Sequence, residues 1–389
     1  MNRAEGPFHG VSQMVAVGAS RAREAEAATT EAVAQLDMEA ICFVLVFVPD
    51  GLDHARVAEA LNRALPQTPA FGCTSAGQIT PEGYEDDALL IVAFPREHFR
   101  FSSTLIHPLT PVSIKDTALR AKTLSERFRK TAGWNRFALT FADGLSKQED
   151  ILVAAFETGL EGVPLFGGSA GHGLAFDATF ILHGGAFHSN AALLMIVETD
   201  LVVKGLKFDH FMPTERQLVV TDARPEDRVV HEINGSPAAR EYARLVGCDL
   251  AELSPQVFAE NPVMVRNYDT WHVRAIQQVV EGESLAFLSA IENGLVLTLG
   301  RGKAILETLE TELSVTGPDG AAPDFVLGFD CVLRRLEIEQ NGVMDSASRI
   351  LRDKRVLGFN TYGEQCGGIH MNQTFVGLAF FPPARGMAL

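Results

Sequence analysis

The segment "PAFGCTSAGQI", Pro69 to Ile79, has a near copy in "PLFGGSAGHG", Pro164 to Gly173. Each copy follows a helical stretch, and each helix follows an apolar strand. The strands "ICFVLVFVPDG" and "RFALTFADG" end at Gly51 and Gly144, so the offset stays nearly constant over three successive elements. Such self-similarity is the mark of an internal duplication. In the first intervening helix Asp53 is placed to cap, and Val57, Leu61 and Leu65 recur at helical spacing. In the second, Ile151, Leu152, Ala155, Phe156 and Leu160 make one apolar face. A third copy is fainter: the strand "FVLGFD" (Phe325–Asp330), the helical "CVLRRLEIEQ" and "SASRILRDK", then "VLGFNTYGEQ". Aligning its end with the first copy predicts that the turns around Gly72, Gly167 and Gly363 are equivalent strand exits.

Each unit therefore reads strand, helix, strand, glycine turn, followed by strands such as "ALLIVAF" and "AALLMIV". The fold class expected is α/β, with strand–helix units in mixed sheets, two domains and internal duplication. Parallel strands joined by a helix put their exits at one sheet edge, where open α/β sheets bind ligands. Between the second and third units "INGSPAAREYARLVG" starts with an Asn-Gly turn, then Ser236 as N-cap and Pro237 at the first helical position. A strand meander follows. The polar "TDARPEDRVV" suits a junction near Asp222. The expected division is a tail over residues 1–20, an N-terminal domain over 21–222 and a C-terminal domain over 223–389.

At 389 residues, with 47% apolar and 21% charged residues, the chain reads as soluble and globular. The longest apolar run, Ile41 to Val48, is too short to span a bilayer, and "MNRAEGPFHGVSQ" has no apolar core of a signal peptide. A cytoplasmic protein is expected. Five cysteines without a C-x-x-C exclude a zinc ribbon, a thioredoxin motif and a covalent haem motif. A formal charge of −16 argues against nucleic acid and anionic membranes as partners.

The residues that carry most information are "YGEQCGGIHMNQT", Tyr362 to Thr374. Together with "FGCTSAG", "FGGSAG", "INGSPA" and "VMVRN", in this order, they make the chain resemble FIST-domain proteins over nearly its whole length. The resemblance implies a sensory module for small ligands. The histidine-bearing loop is similar to the NosP-type branch, which implies haem b, nitric oxide sensing and a histidine kinase partner in two-component signalling. On that branch His370 is the expected iron ligand, with Tyr362, Glu364, Gly367, Gly368, Asn372, Gly72, Gly167 and Gly168 around the cofactor. Glu364, Asn372 or Gln373 would fix the imidazole tautomer. A single histidine is equally at home as a hydrogen-bonding group within a loop. Cys366, His172, His183 and His188 are alternative ligands, and Arg266 and Arg301 alternative partners for propionates.

A haem-free module binding an amino acid or another small metabolite is the second reading, with Thr74, Ser75, Ser169, Thr361 and Glu364 as polar contacts. A serine hydrolase is the third, since "GGSAG" matches G-x-S-x-G at Ser169. That motif needs a strand entering and a helix leaving, whereas "HGLAFDATFIL" has no helical pattern. The expectation is a non-enzymatic sensor, with a homo-oligomer among its expected partners.

Overall fold

The computed structural model describes residues 12–37, 40–267 and 269–383. The first unit is β1 (Ala16–Ser20), α1 (Ala25–Ala34), β2 (Ile41–Val48), α2 (His54–Ala64), β3 (Ala70–Thr74), the hairpin β4 (Gln78–Thr80) and β5 (Gly83–Glu85), and β6 (Leu89–Pro95). The second repeats this order as β7 (Phe99–Ile106), α3 (Ile114–Arg127), β8 (Asn135–Ala142), α4 (Glu149–Leu160), β9 (Leu165–Ser169), the hairpin β10 (Ile181–His183) and β11 (Ala186–His188), and β12 (Ala192–Thr199).

A third unit opens with β13 (Val202–Phe208) and is then interrupted. The interruption holds β14 (Phe211–Arg224), β15 (Val229–Ile233), β16 (Ser236–Pro237), α5 (Ala238–Val246) and α6 (Pro255–Glu260). It continues through β17 (Val263–Asn267), β18 (Thr270–Arg274), β19 (Ile276–Val280), β20 (Ser284–Phe287) and β21 (Val296–Gly302). The unit resumes with α7 (Ile305–Leu313), β22 (Phe325–Cys331), α8 (Val332–Gln340), α9 (Met344–Asp353) and β23 (Val356–Thr361). It closes with the hairpin β24 (Glu364–Cys366) and β25 (Ile369–Met371), and β26 (Phe375–Phe381).

The sheets are not self-contained. Their orders are β1-β6-β2-β3-β10-β11, β7-β12-β8-β9-β24-β25 and β13-β26-β22-β23-β4-β5. Each unit thus sends its hairpin into a neighbour's sheet: the first into the third, the second into the first, the third into the second. The exchange is cyclic. It is stitched by a ring of equivalent backbone bonds, Ala76 N–H to Asn360 O at 3.0 Å, Gly171 N–H to Thr74 O at 3.1 Å and Tyr362 N–H to Ser169 O at 3.3 Å. The register fixes the equivalence, for Val46, Thr140 and Gly328 stand opposite Gly72, Gly167 and Gly358. The next residues along, Phe47, Phe141 and Phe329, meet inside, with Phe141 5.8 Å from each of the other two rings. Strands such as β2 are apolar on both faces because helices cover one side and this shared core the other.

The architecture is the expected α/β class with mixed sheets, two domains and internal repetition. The chain up to Thr199 builds the first sheet and all of the second except its last hairpin. The chain from Val202 on builds the third sheet except β4–β5 and the whole eight-stranded sheet β18-β17-β21-β14-β15-β20-β19, with β16 on β15. Several details differ from the sequence reading. Gly72 and Gly167 lie inside β3 and β9, not in exit turns, and their third equivalent is Gly358 rather than Gly363. The turn residues misled because the true constraint sits earlier: a Cβ on any of these three glycines would collide with a carbonyl of the adjacent parallel strand. Of the tail expected over 1–20, residues 1–11 lie outside the described residues, and Ala16–Ser20 form β1, whose small residues let α1 close over Gly18. Asp222 falls inside β14. Pro237 pairs with β15 and itself caps α5, so the helix starts one residue later than the Ser236 cap predicts. Asp53 caps α2 as expected, accepting from Ala55 and Arg56 amides, whereas Ile151 is 41% exposed and lies off the buried face of α4.

The chain leaves for the insertion at His210 and returns at Lys303, whose amide donates to the His210 carbonyl at 2.6 Å. The buried His210 ring is clamped from both sides. Its Nε2 lies 2.8 Å from Glu337, and its Nδ1 accepts from Arg334 at 2.8 Å. Arg334 also donates to Asp330 at 2.7 Å, and Asp330 accepts from the Tyr84 hydroxyl of the first unit's hairpin. Root of the insertion, third unit and exchanged hairpin share one buried network.

The close backbone approach gives a direct test. Gly167→Ala and Gly358→Ala should each cost about 2 kcal/mol or more in urea unfolding, through forced separation of paired strands. Gly51→Ala, in open space, should stay within about 0.5 kcal/mol. Equal behaviour of all three variants would remove the three-unit equivalence.

Candidate functional site

The thirteen residues from Tyr362 to Thr374 form the exchanged hairpin. Gly367 and Gly368, at φ +56° and +73°, make its two-residue turn, a left-handed backbone that glycine adopts without strain. This turn sets Gln365 directly across from His370. β24 pairs on its other side with β9, so Gln365 also faces Gly167. His370 is 1% exposed.

The Gln365 amide decides the state of that imidazole. Its Nε2 lies 3.2 Å from the Gly363 carbonyl, which can only accept, so the NH2 group must be on that side. The same NH2 contacts Ser169 Oγ at 2.8 Å and His370 Nδ1 at 3.3 Å. The NH2 has no lone pair to offer Nδ1, so the tautomer that avoids two opposed donors carries the proton of the neutral ring on Nε2. Burial is the main cause holding the His370 pKa below its ordinary value, with Asp150 and Glu149 opposing and Arg228 and Arg274 adding to it. Nε2–H meets no acceptor.

Across from the hairpin stand the start of α4 and the eight-stranded sheet. Arg228, 4% exposed, donates to Glu149 at 2.8 Å, to Asp150 at 2.9 Å and to the Leu288 carbonyl at 2.6 Å. Asp150 also accepts from the Ala290 amide at 3.1 Å and lies 3.8 Å from Arg274. Arg274 reaches the His370 carbonyl at 3.5 Å, and Ala275 N–H the Asn372 side chain at 3.5 Å. Gln373 donates to the Ala259 carbonyl at 3.2 Å. The result is a buried polar seam between the exchanged hairpin and the inserted sheet. Two cations face two carboxylates, so it carries no net formal charge.

The seam is under-satisfied. Six buried side-chain polar atoms among the described residues have no partner, and five lie here: Arg274 Nε, Ser289 Oγ, Gln365 Oε1, His370 Nε2 and Gln373 Oε1. The sixth, on Arg334, belongs to the network at the root of the insertion. Buried polar groups are otherwise nearly always paired, and each orphan costs about 1–3 kcal/mol. The concentration makes the seam the candidate site.

The structure gathers His370, Asn372 and Gln373 into this seam, with Ser169 joined through Gln365. It does not bring in the rest. Glu364 turns away from His370, accepting from Thr361, from the Thr374 hydroxyl at 2.8 Å and from the Thr374 amide at 3.1 Å. Tyr362 points to the loop of the second unit, bonding the His172 amide and carbonyl at 3.0 Å and stacking on Phe176. Gly72, Gly167 and Gly168 serve strand packing, Gly168 against Thr361. Thr74 accepts from Phe180, and Ser75 bonds Val48 and Gln78, so both are satisfied within the exchange region. Cys366 packs at the edge of the shared core. His172 pairs with Asp177 at 2.8 Å, while His183 and His188 lie on the second unit's hairpin, away from His370. Arg266 and Arg301 are exposed strand residues outside the seam. Ser169 meets the Gln365 amide and no histidine.

These residues do not fit a haem ligated by His370. An axial imidazole offers a bare Nε2 and donates from Nδ1 to an acceptor, and here the Gln365 amide imposes the opposite tautomer. The ring edge is also packed against Gly363, where a Cβ would meet Nε2 at 2.8 Å, and the lining is charged rather than apolar. Among the described residues no group of three or more metal-binding side chains forms.

Glu149, Asp150, Arg228, Arg274 and Ser289 are the residues that the sequence did not single out. Glu149 and Asp150 read as ordinary acids in a helix's first turn, and Arg228 sits in the polar stretch "TDARPEDRVV", which reads as a junction. Only Arg274, a cation after the buried His272 and Val273 in β18, carried a local signal.

The family described as FIST N domain matches residues 42–236, and that described as FIST C domain matches residues 238–367. No curated protein matches the chain. No helix among the described residues is long and apolar enough to cross a membrane.

Glu364 supplies a pH test. Burial pushes its carboxyl up to about 8 from an ordinary 4.5, against the opposing hydrogen bonds from Thr361 and Thr374. The folded chain keeps a proton that the unfolded chain releases, so stability falls as pH rises through the window between these values. Urea unfolding from pH 4.5 to 8 should show this slope, and Glu364→Gln should flatten it. An unchanged slope in the variant would mean the carboxyl is ionised in the fold.

Proposed function

The chain belongs to the FIST family, which makes it a sensory signalling module, and on that premise we propose that it senses a small zwitterionic metabolite of the amino-acid class in the seam between hairpin β24–β25 and the inserted sheet. The observation that carries this reading is the cluster of five orphaned buried polar atoms. They divide into donors, Arg274 Nε–H, His370 Nε2–H and the Ser289 hydroxyl, and acceptors, the carbonyl oxygens of Gln365 and Gln373. A carboxylate answers the first set and an ammonium the second. The seam's own charges already balance, so a ligand without net charge leaves no unpaired buried ion.

Such a ligand would touch both sides at once: Gln365, His370 and Gln373 from the three-unit body, Arg274 and Ser289 from the insertion. Differential contact with the closed arrangement is what allows a ligand to shift a conformational equilibrium. The signal is then a change in how the inserted sheet sits on the hairpin, read by a partner protein. A histidine kinase is the partner class that the sequence resemblance implies.

A thermal-shift screen of the twenty free L-amino acids tests the reading. At saturating concentration at least one should raise the Tm by about 2 °C or more. Arg274→Gln should abolish that rise. Ser289→Ala, which removes an orphan hydroxyl without opening an ion pair, should fold normally and weaken the rise. No stabilising amino acid, or one indifferent to both variants, would defeat the proposal. Reconstitution with haem provides the opposing arm: a Soret band lost in His370→Ala would reinstate the histidine as iron ligand and overturn the tautomer argued above.

A further inference from the structure

The three units each begin with an edge strand, and the three edges are treated differently. On β1 the Gln35 side chain covers the edge, accepting from the Ala19 amide at 3.1 Å and donating to the Ala19 carbonyl at 2.8 Å. On β13 the edge carries the exposed Lys204 and Lys207, the usual guard against strand pairing. β7 has neither device. Its one charge is Arg100 at the second position, which lies over the Trp134 ring; the rest of "FRFSSTLI" has no charge, proline or glycine, its middle is half-exposed, and it pairs only with β12. Half of its backbone N–H and C=O groups point outward.

A groove flanks each face of this open edge. On one side, about 430 Å³ is lined by Phe71, Phe101, Ser103, His183 and neighbouring loop residues of the first unit. On the other, about 370 Å³ is lined by Thr104, Leu119, Leu124, Arg120 and Arg127. The strand runs along the floor between them. The second groove is strongly basic for this protein. Residues 115–130 hold Lys115, Arg120, Lys122, Arg127, Arg129 and Lys130 against only Asp116 and Glu126, in a chain of formal charge −16. Among the described residues Arg120 and Arg127 form no ion pair, unlike Lys122, which bonds Glu161 at 2.7 Å. Ile114 and Leu119 on the same helix are each 58% exposed.

We propose that β7 is a docking strand for an extended acidic segment of a partner protein, added to the second sheet by backbone hydrogen bonding. Peptide recognition by strand addition takes affinity from the main chain and specificity from pockets for alternate side chains. Here the alternation is prescribed. One set of side chains drops toward Phe71 and Phe101 and should be apolar, and the other faces Arg120 and Arg127 and should be acidic. The edge lies on the second unit, far along the sheet order from hairpin β24–β25, so a partner docked there does not compete with the seam.

The probe is a labelled decapeptide, VEVEVEVEVE, followed by fluorescence anisotropy with the full-length chain. Binding should weaken at least tenfold for the block peptide VVVVVEEEEE, for VKVKVKVKVK, and for a VEVEVEVEVE peptide N-methylated at alternate residues, which needs no change to the protein. Arg120→Glu combined with Arg127→Glu should weaken binding similarly while leaving the melting curve in place. Hydrogen exchange should slow at β7 amides on binding. The assignment is overturned if the alternating acidic peptide fails to bind at millimolar concentration, if the block or N-methylated peptide binds equally well, or if the arginine variant is silent. A wild-type dimer with protected β7 amides would make a second copy the occupant and would equally overturn it.

Discussion

Everything in this fold hangs on the ring of three backbone hydrogen bonds where the units hand their hairpins onward. Ala76, Gly171 and Tyr362 donate to Asn360, Thr74 and Ser169, and each bond joins one unit to the next. Because the exchange is cyclic, no sheet can be completed without two units, and no unit can be removed without opening two sheets. The ring sits at the strand ends above Phe47, Phe141 and Phe329, so polar closure and apolar core are stacked on the same pseudo-threefold centre. It is also what delivers His370 to its site. The hairpin bearing it belongs in sequence to the third unit and in space to the second sheet, which brings it against α4 and beneath the insertion.

How much of this was legible in the sequence follows from the range of the forces involved. Duplication was readable because each unit needs the same local grammar, an apolar strand, an amphipathic helix and a glycine where two strands press together. The third copy was placed five residues late, at Gly363 rather than Gly358. Its visible turn residues belong to the hairpin, while the glycine that matters lies within an apolar strand and looks unremarkable. The exchange itself left no local trace, since a hairpin reads the same whichever sheet it joins. Likewise spacing alone predicts a buried Ile151, although the sheet covers only part of that helix.

For the site, the hairpin with His370, Asn372 and Gln373 stood out because glycines, amides and a histidine rarely crowd between apolar strands without cause. What could not be seen was the opposing wall. Arg228 and Arg274 come from the insertion, and Glu149 and Asp150 from a helix of the second unit; their meeting depends on tertiary contacts spanning much of the chain. The role expected for Glu364 failed for a related reason. A carboxylate six residues from an imidazole seems placed to orient it, but strand alternation and the two-residue turn give that position to Gln365, and an amide NH2 fixes the tautomer opposite to the one an iron ligand needs. The chemistry of the site thus turns on one cross-strand pair.

The central claim is that a ligand bridges two bodies at this seam. Hydrogen–deuterium exchange on the full-length chain, with and without a mixture of the free amino acids, measures it most directly. The account predicts simultaneous slowing of exchange in Glu364–Met371 and in Thr270–Arg274, the two sides of the seam. Slowing on one side alone, or only at a remote part of the fold, would contradict it.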